Sequence, residues 1–138
     1  MATTFLGDIP GNRFQFVENV ASQASGTDSY VPLFRAPQAL SVLAAYFIPA
    51  TAQAGSGTDY KTIQVINRGA AGTGTTVVAS KAYSAASLST ASFVGAALTV
   101  NTAASTVTTS QTLAWYTTST GSGIATVAGQ LQVEYQLT

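Results

Sequence analysis

The segment Gln130-Leu131-Gln132-Val133-Glu134-Tyr135-Gln136-Leu137 decides the fold class of this 138-residue chain. Apolar residues at positions 131, 133, 135 and 137 alternate without a break with polar residues at the even positions. Successive side chains of a strand point to opposite faces, whereas a helix would scatter these four apolar residues around its circumference. A terminal segment frays unless neighbours hold it. We therefore predict a strand here that pairs on both sides.

The rest of the chain contains further short segments of strand character, separated by turns rich in glycine, serine and proline. Eight or nine strands at spacings of about ten to fifteen residues are typical of an antiparallel sandwich or barrel. No stretch shows the periodicity of a capped helix, so the chain is predicted to be all-β. The strands before the last are expected at 13–21, 29–36, 40–48, 60–67, 75–83, 92–100, 106–109 and 111–118, and the last begins near 124–127.

Two local signals refine this prediction. Pro32 has no backbone N–H, which places its strand at a sheet edge or at a bulge. The run Gly69-Ala-Ala-Gly-Thr-Gly separates two strand segments and predicts a hairpin turn. It lacks the Lys-Ser/Thr and the helix of a phosphate-binding loop, so a nucleotide site is not expected there.

The N-terminal residues differ from the rest of the chain. We divide it into an arm and linker over 1–28 and a sandwich domain over 29–138, because 22–28 is the one plausible boundary. The arm has too much apolar surface for a solvated tail, and it is expected to contact another subunit or a larger assembly. The alternative is that it completes its own sandwich as an edge strand. The predicted contact residues are Phe5, Leu6, Ile9, Phe14 and Phe16.

Charged residues make up only 7% of the chain, where soluble domains average about 25%. Five basic and five acidic residues give a formal net charge of zero, so little charge repulsion keeps copies apart. This favours an assembly over a soluble module kept in solution by its Ser and Thr hydroxyls. The scattered basic residues indicate no nucleic-acid partner. The longest apolar run, 42–48, is too short to cross a membrane, and the N-terminus has no secretory leader.

The chain is poor in residues that carry chemistry. It has neither histidine nor cysteine, and its acids are Asp8, Glu18, Asp28, Asp59 and Glu134. We predict no enzyme activity, no catalytic residues, no cofactor and no metal site. A glycosidase carboxylate pair and a calcium site are the minor alternatives. Trp115 and Tyr116 point to opposite faces, so Trp115 is assigned to the core and Tyr116 could present a sugar-binding surface.

The run from residue 30 onward resembles the jelly-roll decoration, or cement, proteins of tailed-phage heads. The matching features are Tyr30-Val-Pro-Leu-Phe-Arg-Ala-Pro, the apolar strand 40–48, Thr58-Asp-Tyr-Lys-Thr-Ile-Gln-Val-Ile-Asn with its hairpin, Leu113-Ala-Trp-Tyr, the turn Thr120-Gly-Ser-Gly, and Gly129-Gln-Leu-Gln-Val-Glu-Tyr. The first 28 residues fall outside the resemblance.

This resemblance implies an eight-stranded jelly roll that forms a homotrimer and binds the major capsid protein at three-fold positions outside a phage head. Its role would be to stabilise the shell, and its location the outer surface of the virion after synthesis in the host cytoplasm. The main alternative is a carbohydrate- or receptor-binding β-sandwich of a phage fibre or tail; a small hydrolase is the third.

Overall fold

The computed structural model describes residues 13–138, and these residues form nine antiparallel strands. The all-β prediction is confirmed: the described residues contain no α-helix and only one short 3₁₀ turn, Ala86–Leu88. No helix within them is long and apolar enough to cross a membrane. The strands are β1 (Arg13–Val20), β2 (Ser29–Arg35), β3 (Leu40–Pro49), β4 (Tyr60–Asn67), β5 (Thr76–Ala82), β6 (Ala96–Val100), β7 (Thr106–Val107), β8 (Thr112–Thr120) and β9 (Gly129–Leu137).

The strand order is that of a jelly roll. One layer runs β1-β9-β3-β6, the other runs β2-β8-β4-β5, and the two-residue β7 pairs with β3. Strands from the two ends of the chain therefore alternate within each layer, as two interleaved Greek keys require. A short ladder between β5 and β6 connects the layers along one side and nearly closes the sheet.

The C-terminal strand is an inner strand, as its alternation predicted. β9 pairs with β1 along eight residues of each strand and with β3 along nine residues of its own. Leu131 and Val133 are fully buried, while Tyr135 is half-buried near the open side of the sandwich. Trp115 is buried in the core, with its ring centroid 5.4 Å from that of Phe47.

The proline and glycine signals are also confirmed. β2 is the terminal strand of its layer, and its ladder with β8 shifts register between Pro32 and Phe34, so both predicted roles of Pro32 occur together. β4 and β5 form the predicted antiparallel hairpin across the glycine-rich turn.

The domain boundary at residue 28 requires correction. β1 pairs with β9 from Arg13 to Val20 and therefore belongs to the sandwich, as the edge-strand alternative proposed. Val17 lies on the outer face of β1, where 42% of it is exposed. The predicted contact residues Phe5, Leu6 and Ile9 lie outside the described residues.

Two strand boundaries also differ from those predicted. The last strand begins at Gly129, after a segment in which Thr126 forms an isolated bridge with Gln23. β6 begins at Ala96 because Ala91 and Val94 close a turn through a backbone hydrogen bond.

Candidate functional site

Four connections of the sandwich lie together at one end, here called the loop end. They are residues 21–28, 50–59, 83–95 and 121–128, which follow β1, β3, β5 and β8. Because these strands all run in the same direction in space, their C-terminal ends meet at one end of the two layers. The opposite end contains the connections 36–39, 68–75, 101–105 and 108–111, the last two on either side of β7.

A buried glutamine joins three of these connections. Gln53 exchanges two backbone hydrogen bonds with Thr90, at 2.8 and 2.9 Å. Its side-chain Nε2 donates to the carbonyl of Ala125 at 3.1 Å, and its Oε1 accepts the N–H of Val127 at 2.9 Å. Gln53 is fully buried, so its amide groups replace the water that these backbone groups would otherwise bind. The loop end is thereby fixed from within.

The connection 21–28 is attached at three points and is no free linker. Gln23 exchanges backbone hydrogen bonds with Thr126. The Nζ of Lys61 donates to the carbonyl of Thr27, and the Oδ1 of Asp28 accepts the N–H of Ser119 at 2.8 Å.

Lys61 is the one buried charged residue among those described. It points into the sandwich from β4, on the same face as Ile63. Burial lowers the pKa of Lys61 below its ordinary value, and the nearby carboxylate of Asp28 opposes this effect. The ammonium group of Lys61 therefore lies under the 21–28 connection, and its burial carries a free-energy cost because the charge loses water.

Phe93 gives the loop end an exposed aromatic ring. Its φ angle is 59°, in the left-handed region that large side chains rarely adopt, and 79% of the residue is exposed. A hydrogen bond of 2.8 Å from its N–H to the carbonyl of Pro49 holds this conformation. Val94 beside it is also exposed. Backbone strain combined with exposed apolar surface is characteristic of sites that bind a partner.

A groove of about 370 Å³ adjoins Phe93. At its floor the chain is closely packed: a Cβ atom on Gly129 would collide with the carbonyl of Ile48 and lie 2.7 Å from the ring of Phe47. None of the lining residues is ionisable, so an apolar partner can enter without displacing water from a charge. The lining residues are Asn19, Val20, Ile48, Ala50, Phe93, Ala128, Gly129 and Gln130.

A second aromatic feature lies on the outer face of the other layer. Tyr30 and Tyr116 are cross-strand partners whose rings stack at 4.0 Å with an interplanar angle of 8°. The guanidinium group of Arg68 lies 4.5 Å from the Tyr30 ring centroid. The hydrogen bond with Tyr30, followed by burial, raises the pKa of Tyr116. Tyr30 is 47% exposed, so this pair presents ring surface to solvent.

The described acids are not assembled into a site. Asp28 and Asp59 accept backbone N–H groups of Ser119 and Ser122, which fixes loops. Glu18 and Glu134 lie on opposite faces of the β1–β9 pair. Within residues 13–138, no group of three acidic, histidine or cysteine side chains is placed to hold a metal ion.

The predicted contact residues Phe14 and Phe16 lie at the seam between the layers rather than at the loop end. Phe14 stacks on Tyr135 at 5.6 Å, and Phe16 packs against Phe34 of β2 at 4.8 Å. Sequence reasoning missed Phe93 and Gln53. Phe93 falls in the strand predicted at 92–100, and Gln53 falls between the strands predicted at 40–48 and 60–67; neither has a local pattern that reveals its role.

No protein-family model matches the chain, and no curated protein matches it. Among solved structures, it is similar to one of the Gx strain of infectious bursal disease virus, with 11% identity and a TM-score of 0.41 over 91% of this chain. It is also similar to the VP2 subviral particle of that virus, with 13% identity and a TM-score of 0.38, again over 91%. The chain spans about a third of the length of these two neighbours, 32% and 33%.

Proposed function

We propose that this chain is a structural virion protein that decorates the outside of a phage head as a homotrimer and stabilises the shell. Its partners would be two further copies of itself and the major capsid protein at three-fold positions. It would act by adhesion and not as an enzyme. Its site of action would be the outer capsid surface, after synthesis in the host cytoplasm.

The loop end is the observation that supports this proposal most directly. Phe93 and the adjoining groove combine exposed apolar surface with an uncharged lining. Burying such surface contributes about 25 cal/mol per Å² before the cost of association is subtracted. The loops are already ordered by Gln53, so less conformational entropy is lost on binding.

Charge supports the same conclusion. With five basic and five acidic residues, copies of the chain repel one another weakly at close range. A jelly roll with this composition is suited to dense packing on a shell, where each copy has close neighbours. Jelly rolls are also common among viral capsid domains, although fold alone does not establish function.

The test is co-sedimentation with undecorated capsids of the virus that encodes the chain, combined with light scattering of the free protein. We expect a trimeric mass and saturable binding that Phe93→Ser weakens at least about tenfold, the loss of a buried aromatic anchor. Val17→Ser removes an exposed apolar side chain from β1 and is the matched control. A monomeric mass, or equal binding by wild type and Phe93→Ser, would contradict the proposal.

The second candidate is a carbohydrate- or receptor-binding module of a phage fibre or tail. The stacked pair of Tyr30 and Tyr116 favours it, because exposed tyrosine rings can pack against sugars and the fold also occurs in lectins. Screening the protein on a glycan panel, with Tyr30→Ala as the comparison, tests this candidate. Binding that Tyr30→Ala abolishes would support it over decoration.

A further inference from the structure

The stacked tyrosines on the outer face of β2 and β8 are held in one arrangement by several contacts. Tyr30 and Tyr116 are direct cross-strand partners, which places their Cβ atoms about 5 Å apart. Their ring centroids are 4.0 Å apart with an interplanar angle of 8°, and the hydroxyl of Tyr116 is hydrogen-bonded to Tyr30. The guanidinium group of Arg68, 4.5 Å from the Tyr30 ring centroid, restrains that ring further. The two phenols are therefore aligned with their hydroxyl groups together.

This alignment brings together the carbon atoms at which two phenols couple. When a phenol loses one electron and one proton, the unpaired electron is shared between its oxygen and the ring carbons ortho to that oxygen. Because the rings are stacked with adjacent hydroxyl groups, the ortho carbons of Tyr30 face those of Tyr116 close to van der Waals contact. Reacting groups held in such a geometry react far faster than the same groups free in solution.

The pair also differs from the other tyrosines of the chain. All six tyrosines lie within residues 13–138, and in that range no other two of them stack on each other. Tyr135, for example, stacks on phenylalanine rings, which do not form phenoxyl radicals. Tyr30 is 47% exposed, so an oxidant can reach its ring from solvent.

We propose that Tyr30 and Tyr116 are a modification site, at which oxidation by peroxide joins them as a dityrosine cross-link between β2 and β8 of the same copy. Hydrogen peroxide, acting through a haem peroxidase, takes one electron and one proton from each phenol and is reduced to two molecules of water. One C–C bond forms between an ortho carbon of each ring, and the hydrogen on each of these carbons moves to its phenol oxygen. The pair loses two hydrogen atoms in all, and both hydroxyl groups are restored. The cross-link is independent of the proposed function.

The cross-link would fasten a strand that has an irregular ladder. Within residues 13–138, β2 is the terminal strand of its layer, and its pairing with β8 shifts register between Pro32 and Phe34. The chain has no cysteine, so a disulfide cannot hold this strand. Coupled rings lie side by side, so the two strands must part slightly at the pair. Tyr30 is the second residue of β2, and strand ends open most readily.

A covalent bond between positions 30 and 116 also has a direct consequence for stability. It closes a long loop, which lowers the conformational entropy of the unfolded chain and so favours the folded state. The unfolding midpoint of the oxidised protein is therefore a second measure of the cross-link.

Peroxide and a haem peroxidase, applied to dilute wild-type protein, test the modification site. We expect peptide mapping by mass spectrometry to find Tyr30 and Tyr116 in one linked peptide pair, two hydrogen atoms lighter than the separate peptides. Tyr30→Phe keeps an aromatic ring but cannot form the radical, so the yield of cross-linked Tyr116 should fall about tenfold or more. Tyr60→Phe, on β4 and outside the stacked pair, is the matched control and should couple like wild type. Cross-linking of Tyr116 that persists in Tyr30→Phe, or dityrosine formed only between molecules, would overturn the proposal.

Denaturant unfolding of the same samples tests the role of the bond. We expect a higher unfolding midpoint for oxidised than for untreated wild type, and no such rise for Tyr30→Phe treated in the same way. An unchanged midpoint in protein that carries the cross-link would overturn its role in fastening β2. Neither measurement uses capsids or glycans, so failure here leaves the tests of both candidate functions unaffected.

Discussion

Gln53 at the loop end and Gln111 at the opposite end both hold neighbouring segments by side-chain hydrogen bonds, but they lie in different environments. Gln53 at the loop end is fully buried and bonds the backbone of Ala125 and Val127. Gln111 at the opposite end is half-buried, and its Oε1 accepts from Asn67 and from the N–H of Thr108. The bond from Thr108 to Gln111 is exposed to water, whereas both bonds that Gln53 makes to Ala125 and Val127 are partly buried.

The two ends also differ in what their strained residues present to solvent. Phe93 at the loop end and Ser110 at the opposite end both have positive φ, 59° and 72°. Ser110 is part of a turn whose N–H binds the carbonyl of Ala36. Phe93 instead exposes a large aromatic ring beside a groove. Positive φ therefore forms part of a turn at Ser110, whereas at Phe93 it lies within a candidate binding surface.

The largest effect on stability is expected in the core of the sandwich, on which both ends depend. Val133→Asp places a carboxylate on the fully buried face of β9 and should destabilise the protein by about 4 kcal/mol or more. Gln132→Asp, one residue away on the outer face, is the control and should cost under about 1 kcal/mol. Chemical denaturation measures both. An unchanged unfolding midpoint for Val133→Asp would mean that both ends are independent of this core.

The next effect compares the two glutamines directly. Gln53→Ala removes a fully buried side chain and its two partly buried bonds, to the carbonyl of Ala125 and from the N–H of Val127, and should cost about 2 kcal/mol. Gln111→Ala should cost about 1 kcal/mol, because Gln111 is half-buried and its bond with Thr108 is exposed to solvent. Free energies of unfolding from denaturant titrations test this. Equal losses for the two variants would contradict the difference between the ends.

The third prediction separates stability from binding at the two strained positions. Phe93→Gly and Ser110→Gly should each stabilise the fold by up to about 1 kcal/mol, since glycine adopts positive φ without strain. Only Phe93→Gly should weaken binding to undecorated capsids. Thermal unfolding and co-sedimentation together provide the test. A Ser110→Gly variant that loses binding to the same extent would show that the loop end has no special role.

The smallest effect concerns Lys61 beneath the loop end. Its pKa is lowered in the folded protein by burial, so just below the ordinary value of 10.5 the unfolded chain holds more protons than the folded one. The free energy of unfolding should therefore rise with pH in that window. Lys61→Met should remove the rise, which denaturation at pH 8, 9 and 10 can measure. A slope that persists in Lys61→Met would assign it to another group.

Much of the fold was predictable from local pattern. The alternation of β9, the position of Pro32 and the glycine-rich hairpin each gave the correct element, because burial on one face of a strand imposes a period of two on its side chains. The candidate site was not predictable in this way. Phe93 lies in a segment of Ala, Ser and Thr without periodicity, and its exposure follows from the turn between Ala91 and Val94.

The amino-acid sequence by itself determined the all-β class, the inner position of β9, the burial of Trp115 and the scarcity of charge, since these follow from residue type and short-range spacing. Only the tertiary structure decided that β1 belongs to the sandwich and that Gln53 orders the loop end. Gln53 and Val127 are 74 positions apart, and β1 finds its partner at the other end of the chain. Such contacts depend on the order in which strands lie side by side, and no local pattern of side chains encodes that order.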